Sequence, residues 1–153
     1  MEPTPVAKSL TNALRLFLID LEALPEDAFT RSLGGKARTV ADIAYETSLV
    51  NDHVGMVLRG EKAFAWPDGW IKAPEGWSSK AAVVEGFRAS ADRIGSTVEA
   101  YAPEAMAETI DDQEGGEAVR EERVRFTTLH TWYHLGQLNF AQTLLGDETW
   151  HWH

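Results

Sequence analysis

The sequence predicts an all-α protein that folds as a four-helix bundle, and three observations lead to this prediction. Four segments repeat apolar residues with a period near 3.6, and each is bounded by helix start or stop signals. No strand-like alternation of comparable length occurs. The 153 residues make one domain's worth of chain, long enough to bury a core without disulfides. We therefore expect a single domain over residues 1–153, with the order and handedness of the helices left open.

Prolines, a threonine and a glycine set the limits of the first two helices. The first is predicted over residues 6–24, because its apolar stripe lies between two early prolines and Pro25. A glycine-containing connection then leads to Thr39, whose side chain can cap the start of the second helix. That helix is expected to end near Arg59, where Gly60 stops it.

The last two helices carry similar boundary signals. The third is predicted to begin near Ser78 or Ser79 and to end at about Tyr101, before a proline. The acidic residues 104–117 include two adjacent glycines, so we expect a connection with at most a short helical turn. The fourth helix is predicted over residues 118–145, with a glycine well placed after it as a cap.

The segment between the second and third helices is rich in tryptophan. Residues 61–78 contain two prolines and two glycines, which exclude a continuous helix, while three tryptophans argue against a solvated, disordered loop. We therefore expect an ordered loop packed on the body of the protein. In it, Trp66, Trp70 and Trp77 are either anchors on the core or the wall of a lid or pocket.

Composition narrows the classes of function. The chain has 24 acidic and 14 basic side chains and a formal net charge of −10, which repels phosphate backbones and anionic lipid surfaces. We therefore expect no nucleic-acid partner. No apolar run is long enough to span a bilayer, and the amino terminus lacks a signal pattern, so no membrane association is expected either. The absence of cysteine excludes disulfides and thiolate metal ligands and favours the cytoplasm.

His130 and His134 are the most informative residues of the chain. They lie four residues apart, so both imidazoles project from one face of the fourth helix and can bind one divalent cation. The alternative is a pair of buried histidines hydrogen-bonded to their neighbours. The sequence lacks the His-Glu-x-x-His, phosphate-loop and nucleophile-elbow patterns, so zincin, nucleotide-hydrolase and serine-hydrolase chemistry are unsupported.

Two imidazoles need a third protein ligand, and the second helix offers two candidates. Glu46 and His53 both lie at the margin of its apolar stripe, but their spacing of seven residues places them about 10.5 Å apart along the axis. They are therefore not expected to share one ion. A carboxylate with two imidazoles suits zinc, nickel, iron or manganese, whereas three imidazoles favour zinc, nickel or copper. Spacing alone leaves the choice open.

Two stretches of the chain resemble a known family. Residues 39–46 (Thr-Val-Ala-Asp-Ile-Ala-Tyr-Glu) and 130–137 (His-Thr-Trp-Tyr-His-Leu-Gly-Gln) are similar to motifs of the DinB-like metal-binding four-helix bundles. That family includes the YfiT-like and mycothiol-dependent maleylpyruvate isomerase groups. The resemblance implies Glu46, His130 and His134 as metal ligands. The family usually has histidine where this chain has Glu46, so His53 remains either a replacement ligand or a neighbour of the site.

The resemblance also implies a function. We expect a divalent metal, zinc or nickel first and iron or manganese as alternatives, which activates a bound water or thiol toward a small electrophile. Relatives include transferases and isomerases that depend on low-molecular-weight thiols. The candidate pocket residues are Tyr133, Gln137, Trp66 and Trp70. The competing hypothesis is a non-catalytic, metal-stabilised stress or small-molecule binding protein, and for either hypothesis the resemblance suggests a homodimer.

Overall fold

Four long helices and one short helix make up most of the computed structural model, which describes residues 2–153. The prediction of a predominantly helical chain is confirmed, and a two-stranded sheet precedes the last helix. No helix in this described range is long and apolar enough to cross a membrane. In chain order the elements are α1 (Pro5–Ala23), α2 (Val40–Leu58), α3 (Lys80–Glu99), α4 (Pro103–Met106), β1 (Thr109–Asp111), β2 (Glu117–Val119) and α5 (Arg120–Leu144).

Side-chain caps fix where α2 and α3 begin. The Thr39 hydroxyl accepts the backbone N–H of Asp42 at 3.1 Å, and the Ser79 hydroxyl accepts that of Ala82 at 3.2 Å. Each cap satisfies one of the donors that a helix start leaves unpaired. The predicted cap at Thr39 is therefore confirmed, and it sets the rotational phase at which Glu46 emerges two turns later.

The core lies between the four long helices. Helix α1 packs against α3 and α5, and α2 packs against the same two. Buried apolar side chains from all four helices form one continuous cluster, in which Phe17 stacks on Phe87 with ring centroids 4.3 Å apart. Burial of these apolar side chains supplies the main driving force for folding.

Helices α2 and α5 are antiparallel neighbours. Ile43, near the start of α2, lines the same cavity as Gln137 in the second half of α5. Val54, near the end of α2, lines another cavity with Phe126 in the first half of α5. The middle of α2 therefore faces the middle of α5, where the two histidines lie.

The connection between α3 and α5 differs from the prediction. Residues 104–117 were expected to hold no more than a helical turn, but a β-hairpin follows the short helix α4, and α5 begins at Arg120. The side chain of Asp112 accepts backbone N–H groups of Glu114 and Gly116, which closes the turn. Strands of three residues are too short to show a period in the sequence. The register is Thr109 with Val119, Ile110 with Ala118 and Asp111 with Glu117.

The tryptophan-rich loop is only partly anchored on the core. Trp77 packs against the core cluster and meets Tyr45 edge to face, with ring centroids 5.0 Å apart. Trp66 and Trp70 are 42% and 74% exposed. The placement of these two residues as core anchors is therefore wrong, and both instead line cavities. The middle of the loop is also held against the body, because Ile71 is buried and the backbone N–H of Ala73 donates to the Asp42 side chain of α2 at 2.8 Å.

The C-terminal segment folds back onto the body. The Trp152 indole packs against the core and donates its N–H to the buried Asp20 carboxylate at 2.8 Å. The amide of Asn139 donates to the other oxygen of Asp20 at 2.5 Å. Burial raises the pKa of Asp20, and these two hydrogen bonds offset part of that rise.

Candidate metal centre

Three side chains from α2 and α5 meet at one point. The Nε2 atoms of His130 and His134 lie 3.2 Å apart. Oε1 of Glu46 lies 3.6 Å from the first and 3.7 Å from the second. The structure thus brings together the three residues implied as metal ligands, and these atoms form a group that could hold a metal ion.

The local sequence explains this convergence. His130 and His134 occupy i and i+4 of an uninterrupted helix, so their rings lie on one face with centroids 4.5 Å apart. Glu46 comes from the middle of α2, which packs antiparallel to α5. His134 is fully buried, whereas the side chains of Glu46 and His130 keep 18% and 15% of their surface exposed. One side of the cluster is therefore partly exposed to solvent.

The spacing of the three atoms fits a single transition-metal ion. Ligand atoms about 2.1 Å from a tetrahedral ion lie about 3.4 Å from one another. The observed separations of 3.2, 3.6 and 3.7 Å bracket that value. Two imidazole nitrogens and one carboxylate oxygen also form a donor set typical of zinc and other divalent transition metals. The residues present therefore fit such an ion.

Both imidazoles are neutral at pH 7. Desolvation by burial, aided by the positive charge of Arg38, lowers the pKa of His130 to about 4. Desolvation likewise lowers the pKa of His134 to about 4, although the hydrogen bond that its ring donates to Gln137 acts in the opposite direction. A metal ion can therefore bind these nitrogens without first displacing a titrating proton at neutral pH.

Gln137 sets the orientation of one of the imidazoles. Its Oε1 lies 2.7 Å from Nδ1 of His134, and a carbonyl oxygen can only accept a hydrogen bond. The Nδ1 atom must then carry the proton, which leaves the Nε2 lone pair directed at the cluster. Nδ1 of His130 is buried and has no such partner among residues 2–153.

Comparison with known proteins agrees with this fold. A family model described as the DinB superfamily matches residues 9–138. The chain belongs to the DinB superfamily. It is also similar to the crystal structure of a conserved protein from Enterococcus faecalis, with a TM-score of 0.68, 16% identity, and coverage of 91% of this chain and 94% of that one. At this identity the likeness concerns the fold alone, and no curated protein matches the chain.

Arg38 is a site residue of this DinB protein that sequence reasoning did not single out. Its guanidinium pairs with Oε2 of Glu46, and only 11% of its side-chain surface is exposed. It also lies over the Trp70 ring, 4.8 Å from the centroid. Arg38 stands in the connection just before the Thr39 cap, where no periodicity constrains a side chain. Nothing in the sequence indicated that the side chain just before the cap would be largely buried.

His53 does not join the cluster of this DinB protein. Its ring lies edge-on to Phe64 and Trp66, with centroids 5.2 and 5.9 Å away. Two turns of α2 separate it from Glu46, which is too far for one ion. The alternative of His53 as the replacement third ligand does not agree with this geometry.

Two cavities flank the cluster. The first, here called the Tyr133 cavity, has a volume of about 660 Å³ and is lined by Arg38, Ile43, Trp70, Tyr133, Gln137 and Phe140 among others. The second, the His53 cavity, has about 600 Å³ and is lined by Val50, His53, Phe64, Trp66, Arg123 and Phe126 among others. The four predicted pocket residues all line cavities but are divided between them, because Trp66 belongs to the second.

Proposed function

We propose that this chain is a divalent-metal-dependent protein of the DinB superfamily, a four-helix bundle that binds zinc or nickel, with iron or manganese as alternatives, through Glu46, His130 and His134. Its activity is that of a cytoplasmic thiol-dependent transferase or isomerase, which uses a low-molecular-weight thiol to act on a small electrophile. The observation that carries the proposal is the spacing of one carboxylate oxygen and two imidazole nitrogens, which matches the ligands of one ion.

The number of ligands supports a catalytic ion over a purely structural one. Structural zinc sites have four protein ligands, whereas catalytic sites have three and leave a position for water or substrate. Within residues 2–153 the cluster contains three candidate ligands. An ion bound there would lower the pKa of a coordinated thiol or water toward about 7.

The charges around the cluster favour an anionic ligand. Arg38 offsets the charge of Glu46, and burial keeps both histidines neutral. The protein groups therefore sum to no net charge, so that the charge of a divalent ion is left for a thiolate or another anion to neutralise. This balance suits a thiol that binds in its deprotonated form, its proton having passed to solvent.

The Tyr133 cavity is the proposed binding place of the electrophile. Arg38 and Gln137, which contact Glu46 and His134 directly, both line it. Its other walls are mostly apolar, including Trp70. A volume of about 660 Å³ lies within the range of small-molecule sites, and a few polar groups in an apolar wall are typical of them.

One observation favours the competing function, a non-catalytic binding protein. No further carboxylate or imidazole joins the three candidate ligands in the described range. The cluster thus has no spare side chain of the kinds most often used as a general acid or base. Tyr133 meets His134 edge to face, with ring centroids 4.9 Å apart.

The exposed side of α5 supports the proposed homodimer. Large apolar side chains cover it over most of its length, within about 60° of arc at 100° per residue. They are Phe126, Leu129, Tyr133, Phe140 and Leu144, each at least half exposed. Extended exposed apolar surface of this kind marks a place of association.

The sequence of this face is suited to a symmetric contact. A second α5, antiparallel about a two-fold axis beside Gly136, would pair Leu129 with Leu144 and Tyr133 with Phe140 in both directions. A Cβ added to Gly136 meets no atom within 4 Å, so the two backbones can approach closely at the crossing point. Such a dimer would also cover the mouth of the Tyr133 cavity, which Tyr133, Phe140 and Leu144 line.

Metal analysis of protein purified without an affinity tag tests the site. We expect about one divalent transition-metal ion per chain in the wild type, and loss of the ion in Glu46→Ala and His134→Ala. His53→Ala is the matched control, because it removes an imidazole from the same helix but lies outside the cluster, and it should keep the ion. Full metal retention by His134→Ala would contradict the site.

A turnover assay separates the enzyme from the binding protein. The metal-loaded protein is incubated with a panel of low-molecular-weight thiols and small electrophiles, and conversion of the electrophile is followed before and after chelation; a transferase also consumes the thiol, whereas an isomerase does not. Turnover that chelation abolishes supports the enzyme. A metal-loaded protein without turnover on any pair supports the binding protein instead.

A further inference from the structure

The second cavity has no role in the function proposed above. We propose that the His53 cavity is a separate subsite for a planar aromatic molecule that carries an anionic group. Binding there requires no metal. One further consequence does rest on the proposed function: a ligand in the Tyr133 cavity and a ligand in the His53 cavity would then lie on opposite sides of the metal centre.

The position of the cavity supports this assignment. Along α2, Val50 and His53 follow Glu46 and line the His53 cavity, whereas Ile43 precedes Glu46 and lines the Tyr133 cavity. Along α5 the order is reversed, because the helices are antiparallel. Phe126 lines the His53 cavity one turn before His130, and its ring centroid is 6.1 Å from that of the imidazole. The cluster thus stands in the partition between the two cavities.

The walls of the His53 cavity are unusually aromatic. Phe64 and Trp66 are nearly parallel, at 21° and with centroids 6.5 Å apart, and the His53 ring meets both edge-on. Phe126 stands on the α5 side of the same cavity. Trp66 is 42% exposed, so part of its ring is accessible to another ring. Aromatic faces of this kind favour a flat, apolar guest.

The charges in the cavity favour an anionic group on that guest. Arg123 and Glu114 both line the cavity and engage each other at 3.5 Å, and Asp112 lies 3.2 Å from the same guanidinium. Lys62 also lines the cavity and forms no ion pair with any of residues 2–153. Its ammonium is therefore without a carboxylate partner beside the aromatic wall. It would pair with a carboxylate or sulfonate.

The cavity wall is held in place before any ligand arrives. The side-chain amide of Gln113, in the hairpin turn, donates to the carbonyl of Glu61 at 2.6 Å. The oxygen of the same amide accepts the backbone N–H of Ala63 at 2.9 Å. Gln113 itself has a φ of 60°, a left-handed conformation that few non-glycine residues adopt. The two hydrogen bonds of Gln113 thus fix the loop that carries Phe64 and Trp66. Because the loop is already ordered, ligand binding loses little conformational entropy there.

Calorimetric titration with 2-naphthoate tests the proposal. We expect saturable binding to the metal-free wild type and an affinity about tenfold or more weaker in Trp66→Ala, which removes the largest aromatic wall. Lys62→Ala should weaken 2-naphthoate several-fold but leave the neutral probe 2-naphthol unaffected. Trp70→Ala is the matched control, because it removes an exposed tryptophan from the same loop but from the other cavity, and it should bind 2-naphthoate as the wild type does.

Two results would overturn the subsite. One is the absence of 2-naphthoate binding by the wild type up to millimolar concentration, and the other is binding that Trp70→Ala abolishes but Trp66→Ala leaves intact. Metal content measured on the same samples keeps this test apart from that of the metal centre. Glu46→Ala should lose the ion and still bind 2-naphthoate, whereas Trp66→Ala should keep the ion and lose the probe.

Discussion

Arg38 pairs with one oxygen of the Glu46 carboxylate, and the other oxygen faces the two histidines. The paired oxygen is Oε2, and this leaves Oε1 directed at His130 and His134. The pair thus holds one oxygen in the geometry of a metal ligand while the charge of the carboxylate is balanced from the other side. The positive charge of Arg38 is also one reason why the pKa values of both imidazoles are low.

Replacing Arg38 should therefore raise the pKa values of the two imidazoles. In metal-free Arg38→Met, repulsion of the imidazolium by the guanidinium disappears, and Glu46 becomes free to pair with a protonated ring. NMR titration of the histidine ring protons measures the change. Arg31→Met, which removes an exposed arginine from the same connection, is the control. Equal imidazole pKa values in the wild type and Arg38→Met would show that the ion pair does not act on the histidines.

Gln137 should matter for metal affinity although it is not itself a ligand. Gln137→Leu removes the acceptor for Nδ1–H of His134, so the ring loses the hydrogen bond that fixes its tautomer and orientation. Loss of such a partner typically lowers metal affinity by about 10- to 100-fold. Competition with a chromophoric chelator measures the affinity. Gln137→Glu keeps an acceptor at the same place and should retain affinity, and equal weakening in both variants would argue against this role.

The metal-free protein should lose stability between pH 6.5 and 4. Both imidazoles have a folded-state pKa of about 4, lowered from 6.5, so in this range the unfolded chain binds more protons than the folded one. Stability then rises with pH through this window and falls as the solution is acidified. Burial gives Asp20 a raised pKa, and this contributes in the opposite direction.

Thermal unfolding of the metal-free protein at a series of pH values measures this dependence. His130→Gln keeps Asp20 and removes one of the two imidazoles, so its unfolding midpoint should fall less steeply on acidification. Excess zinc should raise the midpoint at neutral pH and extend the fall to lower pH, because the ion holds both rings deprotonated in the folded protein while the unfolded chain still binds protons. If the unfolding midpoints of the wild type and of His130→Gln fell equally steeply on acidification, the two imidazoles would not be the cause of the pH dependence.

Much of this site could be predicted from the sequence, and the limits have physical reasons. The spacing of His130 and His134 in one helix fixes their common face, because an α-helix has only one rotational period. The choice between Glu46 and His53 depends instead on which turn of α2 lies opposite the histidines. That depends on how far α2 is shifted along α5, which the periodicity of either helix does not determine. Resemblance to a family indicated Glu46, and the packing of α2 on α5 brings it to the histidines.

Residues outside regular helices were the ones that sequence reasoning misplaced or overlooked. Arg38 lies in a connection, and Trp66 and Trp70 lie in a loop whose path is set by tertiary contacts such as those of Gln113. Composition showed that the loop is aromatic and not disordered, but not that its tryptophans would line two different cavities. The three-residue strands before α5 were too short to leave any pattern.

From the exposed apolar face of α5 we predict that the protein is a dimer that a charge on this face would disrupt. Leu129→Glu places a charge opposite Leu144 of the second copy in the proposed contact, where a buried unpaired carboxylate is costly, and should convert a dimer to a monomer. Ala81→Glu introduces the same charge on an exposed position of α3 and should leave the oligomer unchanged. Sedimentation equilibrium measures the mass of both. A wild type that remains monomeric at high concentration would remove the dimer from the proposal.

Two glycines of α3 should respond in opposite ways to the same substitution. A Cβ at Gly86 would lie 2.4 Å from Cζ2 of Trp77, so Gly86→Ala must displace the one tryptophan that anchors the loop. We expect a loss of about 1–3 kcal/mol in the free energy of unfolding, as for other overpacked sites. A Cβ at Gly95 meets nothing within 4 Å, so Gly95→Ala should gain up to about 1 kcal/mol from helix propensity. Urea denaturation measures both changes, and equal stabilisation by the two substitutions would show that Trp77 does not pack against α3 as described.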